Sequence, residues 1–337
     1  MKHSRFEICA QTFGRSIRAY GSPSVTLHPQ VLVKHDSLYN TYGGLIAHST
    51  YCTGEGTDGH FHYHVYAPDI IDPVPHSATG PSGSFWIGYF HTHFGHFLTS
   101  TLQRLWYLKA TDRHFEYFTC VNYDEVSGRN DAFISKIFDI LKIDEGKILN
   151  VRDLSSLHDI VVAEPVFVEN SHAYPAWAGF MRSIGHCLTG KRVSRPKMNP
   201  LYLSRDRVRS ATRRYLGEDM LCEALERMGV DICHPEELQF QDQINLWSEY
   251  DIVIGFSGSA FINSIFFGGK HIIILNHDDY IFGTQRMIDS EARNRSLYLN
   301  THAYLQKTSD PHETYEITEP DRLAIDLVRI VQTLTRN

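Results

Sequence analysis

Two familiar phosphate-binding signatures are missing from this 337-residue chain. It has neither G-x-x-x-x-G-K-S/T nor G-x-G-x-x-G, which excludes a P-loop and the usual dinucleotide fingerprint. It also lacks an Asp-x-Asp pair, so no ready-made carboxylate clamp for a divalent ion is visible. The six cysteines, Cys9, Cys52, Cys120, Cys187, Cys222 and Cys233, lie far apart without paired spacing. That excludes a disulfide scaffold and a zinc knuckle and points to a reducing compartment. No apolar run reaches the roughly 20 residues of a membrane span, and MKHSRFEICAQTFGR carries no apolar leader core. The expectation is a soluble, cytoplasmic protein. A formal charge of −7 and no broad basic face argue against a nucleic-acid partner.

What is present is an alternation of apolar strands and amphipathic helices, which reads as an α/β protein with doubly wound sheets. The length exceeds one ordinary core and suggests two domains, 1–190 and 191–337, divided near the basic, proline-containing stretch 190–200. In the first, residues 1–80 read as irregular short strands. Trp86 to Phe90 lead into a helix that carries His96 and runs to about Ala110. A strand over 115–121, a helix over 132–141 and strands at 148–151 and 160–163 follow.

The second domain holds the most informative segment, DIVIGFSGSAFINSIFFGGKHIIILN from Asp251 to Asn276. A buried strand (252–255), a small-residue turn (Ser257, Gly258, Ser259, Ala260), an apolar helix through Phe267 and a strand at 272–275 make a βαβ unit. Free N–H groups where such a helix begins attract phosphate. Tight strand-to-helix geometry alone also favours serine and glycine, and that reading stays open. Upstream, a strand at 201–203 is followed by Arg205, Arg207, Arg209, Arg213 and Arg214, then by a helix over 217–228. In an acidic chain this is a local inversion of charge. Guanidinium groups grip phosphate oxygens in pairs, so the run reads as a phosphate clamp at a strand end, with a solvated basic loop as its alternative.

These segments resemble glycosyltransferase family 61, which includes many capsular-polysaccharide transferases. Ser204, Arg205 and Glu218 match its SR…R…NE pattern, with Gly217 in place of Asn. Ser257-Gly258-Ser259-Ala260-Phe261-Ile262-Asn263 stands where the family has a motif similar to H-G-A-G-L-T-N. In HFGHFLTSTLQRLWYL, residues His96, Phe97, Leu98, Thr99, Leu102, Arg104 and Leu105 match a family helix, and Ser100 replaces its Glu. The resemblance covers about Phe85 to Asn276.

It implies two Rossmann-like lobes of the GT-B kind, the first on the acceptor side and the second binding the donor. A C-terminal helix, here capped by Thr318-Glu-Pro-Asp, would pack back across them. It also implies an inverting transfer from a nucleotide sugar to a polysaccharide or glycolipid acceptor, without a cofactor or metal. Any membrane contact would then be peripheral, through a lipid-linked acceptor. On this reading His96 is the catalytic base, and Arg205, Arg209, Glu218, Ser257, Gly258, Ser259, Ala260 and Asn263 form the donor site. Two other readings share the scaffold: a catalytically silent nucleotide- or sugar-binding protein, and another GT-B-like enzyme such as a polysaccharide pyruvyl transferase.

The twenty histidines are a separate feature. His60, His62 and His64 alternate on a strand pattern, and His91, His93 and His96 cluster at the first helix. Either trio has metal-ligand chemistry. Tyr- and His-rich strands are common surface or interface material, so structural roles are preferred, most strongly for the first trio.

Overall fold

The computed structural model describes residues 5–54, 61–63, 67–72, 78–122, 132–151, 155–190, 197–208, 213–310 and 313–335. The chain divides into two compact units. One comprises Met1–Thr12, Leu188–Ile281 and Ile288–Asn337; the other comprises Phe13–Cys187 and Phe282–Met287.

The first unit is built on a six-stranded sheet. Five strands are parallel: Leu201–Leu203, Asp231–Cys233, Ile252–Phe256, His271–Asn276 and Arg295–Asn300. A short antiparallel strand, Glu7–Ile8, closes one edge against Arg295–Asn300. Counted along the chain, the parallel strands lie in the spatial order second, first, third, fourth, fifth. The chain therefore reverses its direction of travel between Leu201–Leu203 and Ile252–Phe256, which is the topological switch point of such a sheet.

The near-continuous apolar runs follow from burial on both faces. Tyr202, Ile254, Phe256, Ile273 and Leu275 point to one core, shared with Leu221 and Leu225 of helix Glu218–Arg227. Leu201, Leu203, Val253, Ile272 and Ile274 point to the other, with Trp247 and Phe261. The last helix, Pro320–Thr335, buries Leu323, Ala324, Leu327 and Val331 in the first of these cores. These residues place its apolar face in the core of its own unit.

The small-residue turn does not open an α-helix as expected. Ser259–Phe266 is a 3₁₀ helix, with Phe261 N–H bonded to Gly258 O at 3.2 Å. Its Ser259, Ile262, Asn263, Ser264 and Ile265 are all weaker α-formers than leucine or alanine, which removes the preference for the wider helix.

The second unit carries a seven-stranded mixed sheet. Ile148–Asn150, Tyr117–Val121, Ser84–Tyr89 and Ser155–Ala163 are parallel neighbours, and Ala78–Ser82 also runs parallel to the last of them. Val25–Lys34 and Ser37–Tyr39 add antiparallel strands, so the N-terminal region contains a ten-residue regular strand where only short pieces were expected. The expected helix at Ala132–Leu141 is present.

The His96 helix is not continuous. It runs only over Phe94–Thr99, followed by a 3₁₀ turn, Thr101–Arg104, and a short helix, Tyr107–Ala110. The hydroxyl run Thr99-Ser100-Thr101 explains the break. Thr99 Oγ1 reaches back to Gly95 O at 2.9 Å, and Thr101 Oγ1 accepts from His91 N–H at 2.8 Å. Such side chains compete with the helical backbone. A packed aromatic trio, Phe90, Phe97 and Phe138, with ring centres 5.9–6.1 Å apart, nevertheless fixes the helix on the sheet.

Candidate active site

In the first unit the switch point sets two loops side by side. Leu201–Leu203 and Ile252–Phe256 pair so closely that a Cβ at Gly255 would lie 2.7 Å from Leu203 O. Their carboxyl ends lead into Ser204-Arg205 and Ser257-Gly258. Arg205 Nη1 donates to the carbonyl of Ser257, and the guanidinium lies over Gly258. A Cβ at 258 would meet Nη1 at 3.3 Å, Cζ at 3.4 Å and Nε at 3.5 Å. Gly258 has φ −179°, an extended conformation open to any residue, so the glycine is needed for space.

Glu218 supports this arrangement from below. It is the first residue of its helix, after Gly217 at φ +80°, and only 1% exposed. Its Oε1 accepts from Arg205 N–H at 3.1 Å and from the Tyr202 hydroxyl at 2.9 Å. Burial pushes the carboxyl up to about 7, although those hydrogen bonds and the Arg205 charge pull the other way. Glu218 thus lies beneath the surface and holds the backbone of Arg205. Asn263 is fully buried, and its amide makes no hydrogen bond within the described protein.

The basic run is less uniform than its sequence suggests. Arg207 pairs with Glu237 at 2.7 Å and Arg213 with Glu313. No ion pair to Arg205 occurs among the described residues, and Arg209 lies outside them. Of the described arginines, Arg205 is the one set against the turn Ser257, Gly258, Ser259 and Ala260, and Arg214 lies exposed on the strand Arg213–Leu216. One group here has metal-type ligands: Asp206, His234 and Glu236, with ligand atoms within 4.8 Å of one another. His234 Nδ1 lies 2.8 Å from Asp206 Oδ1.

In the second unit His96 is half-exposed on its six-residue helix, and Nδ1 lies 3.2 Å from Glu169 Oε1. Glu169 comes from a tight hairpin between Phe167–Val168 and His172–Ala173, closed by Ser171 N–H to Val168 O at 3.1 Å. Asn170 continues the turn at φ +51°, and the Glu169 carbonyl accepts from Gly54 N–H at 2.8 Å. Thr99 Oγ1 also contacts Glu169 Oε1. Burial alone would raise the Glu169 carboxyl, but the bonds from His96 and Thr99 hold it below its ordinary value. The hydrogen bond to Glu169 raises His96 against the opposing effect of burial. Burial, with the neighbouring His96 charge, lowers His93.

The sequence pattern singles out His96 but not Glu169, whose partner lies 73 positions away. The His91 and His93 rings each sit 5.4 Å from His96, so this trio does gather. Of the other trio, His62 lies on Phe61–Tyr63, paired with Cys52–Gly54, while His60 and His64 lie outside the described residues. Arg104 is structural. Fully buried, it donates from Nε and Nη2 to His48 O at 2.9 and 2.6 Å and from Nη2 to Thr50 O at 3.0 Å. Burial lowers it to about 10.

A doubly wound α/β unit with a cation and a small-residue turn at its switch point belongs to the broad class that binds ligands at strand ends. The Glycosyltransferase 61 family model matches residues 94–274, more than half the chain and both of the loops just described. The protein belongs to glycosyltransferase family 61, and membership implies a sugar donor and an acceptor as substrates. No curated protein matches it. Among the described residues no helix is long and apolar enough to cross a membrane.

Proposed function

We propose that this protein is an inverting, metal-independent glycosyltransferase that moves a sugar from a nucleotide-sugar donor to a polysaccharide or glycolipid acceptor. The observation that carries the reading is Arg205 seated over the Ser257-Gly258 turn at the sheet's switch point. As the donor breaks, negative charge grows on the departing diphosphate. A fixed guanidinium and the backbone N–H groups of Gly258, Ser259 and Ala260 supply the stabilisation that Mg²⁺ provides elsewhere, the Ser257 N–H being bonded to Leu275 O. Glu218 holds the Arg205 backbone, and Asn263 is assigned to the same donor site on its sequence position. Arg209 is assigned to the same phosphate group on its sequence position.

His96 is the base that takes the proton of the acceptor hydroxyl, as inversion by direct attack requires. The reading includes a GT-B organisation in which each unit serves as one lobe. It also includes a cytoplasmic setting in surface or capsular polysaccharide synthesis, with membrane contact only through a lipid-linked acceptor. Neither an organic cofactor nor a nucleic acid takes part.

The test is a thermal-shift screen against nucleoside diphosphates and their sugars, in EDTA and in Mg²⁺. Ligand at about 100 times its Kd adds roughly 2.7 kcal/mol. Stabilisation by one base in EDTA supports the reading. Binding that appears only with Mg²⁺ removes metal independence, and no stabilisation by any of them removes the donor site.

A further inference from the structure

The second unit contains a carboxylate with no role in the reading above. Glu169 is a largely buried acid on a two-strand hairpin, yet it carries no salt bridge to lysine or arginine among the described residues. Its Oε1 instead faces His96 Nδ1 and the Thr99 hydroxyl, both on the helix Phe94–Thr99. Thr99 Oγ1 has one proton and two acceptors in reach, Gly95 O and Glu169 Oε1. The hairpin itself is pinned. Asn170 Oδ1 accepts from Thr284 N–H at 3.0 Å, and Thr284 Oγ1 accepts from Asn170 N–H at 2.9 Å.

A carboxylate held this way fixes an imidazole in one tautomer. A proton on Nδ1 bonded to Glu169 leaves the lone pair on Nε2, and a negative neighbour favours the imidazolium formed on proton uptake. We propose that Glu169 is the positioning residue of a His96–Glu169 pair, presenting Nε2 as the base for the acceptor hydroxyl. This rests on the glycosyl-transfer reading. The acceptor O–H bond breaks and Nε2–H forms. The acceptor oxygen bonds to the anomeric carbon as the bond to the diphosphate oxygen breaks, and the diphosphate leaves with that electron pair. His96 becomes the imidazolium against ionised Glu169.

Among the described residues, the other titratable groups around His96 are His93 just before its helix, His91 on the preceding segment, and Tyr51 and Tyr89, whose rings lie 4.6 and 4.8 Å from His91. Glu169 is the acidic member of this set. Its removal therefore shifts the His96 titration downward, whereas losing a purely structural hairpin contact would leave that titration in place.

The experiment compares wild type with Glu169→Gln, Glu169→Asp and His96→Ala. The His96 side-chain titration is followed by NMR, and donor turnover is followed as a function of pH. The pair predicts a lower His96 pKa in Glu169→Gln, partial retention in Glu169→Asp, and kcat reduced about 10- to 100-fold with donor KM little changed. The acid limb of the rate profile should move to lower pH with the NMR value. An identical His96 titration in wild type and Glu169→Gln overturns the pair, whether or not turnover is detected. Full turnover in His96→Ala would instead overturn the reading of His96 as base. If Glu169→Gln fails to fold, Glu169→Asp carries the titration test, and an unshifted value with lost turnover counts against positioning.

Discussion

Arg205 and Ser257 are 52 residues apart in sequence, yet the Arg205 guanidinium donates to the Ser257 carbonyl. They meet because their strands are neighbours across the point where the sheet reverses direction. If this pair forms the phosphate end of a donor site, Arg205→Ala removes a charge-assisted contact of about 1.5–3 kcal/mol. Nucleoside diphosphate should then bind about 10- to 150-fold more weakly by calorimetry. Arg205→Lys should recover only part of that loss, because an ammonium cannot span two acceptors.

Gly258 offers a second route to the same site. Its backbone is unstrained for other residues, so Gly258→Val should barely change the melting temperature. The new side chain presses on the guanidinium from 3.3 Å and displaces it. Donor affinity should fall about tenfold, the scale of one weakened charged hydrogen bond, with the fold intact by circular dichroism.

Glu218 makes stability depend on pH in a stated direction. Its folded carboxyl titrates near 7 against 4.5 when free, so between those values the folded state holds more protons than the unfolded one. Its contribution to stability therefore falls as pH rises from about 4.5 to about 7, by about 3 kcal/mol at most. Glu218→Gln keeps an acceptor for Arg205 N–H and the Tyr202 hydroxyl but cannot ionise. The melting temperature of Glu218→Gln relative to wild type should rise across that window and level off above it.

Arg104 separates fold from chemistry. Removing its side chain leaves the buried carbonyls of His48 and Thr50 without their donor. Arg104→Ala should lose at least about 3 kcal/mol in denaturant unfolding, from at least two charged hydrogen bonds. The loss should appear even in a protein that never meets substrate.

Much of the region around the switch point was legible in the sequence, because it lies in local patterns. The apolar runs around Tyr202 and Ile254 mark strands buried on both faces, and the periodicity after Gly217 marks the helix that brings in Glu218. Pairing order was not legible. Nothing in the residues 201–203 says that they lie beside 252–256 rather than only beside 231–233, and the switch point depends on that choice. Glu169 was hidden for a related reason. Its hairpin has two-residue strands without periodicity, and its meaning comes from a helix 73 positions away. The break after Thr99 and the 3₁₀ form of Ser259–Phe266 were misread because apolar spacing marks a buried face without fixing the helix type.

The most direct measurement is release of nucleoside diphosphate from a nucleotide sugar, in EDTA, with a panel of glycan acceptors and the product anomer read by NMR. Wild type should release diphosphate and form an inverted product, while Arg205→Ala and His96→Ala should both fall at least about 100-fold under donor concentrations below wild-type KM. Retention of configuration, dependence on added metal, or full activity in either variant would contradict the account.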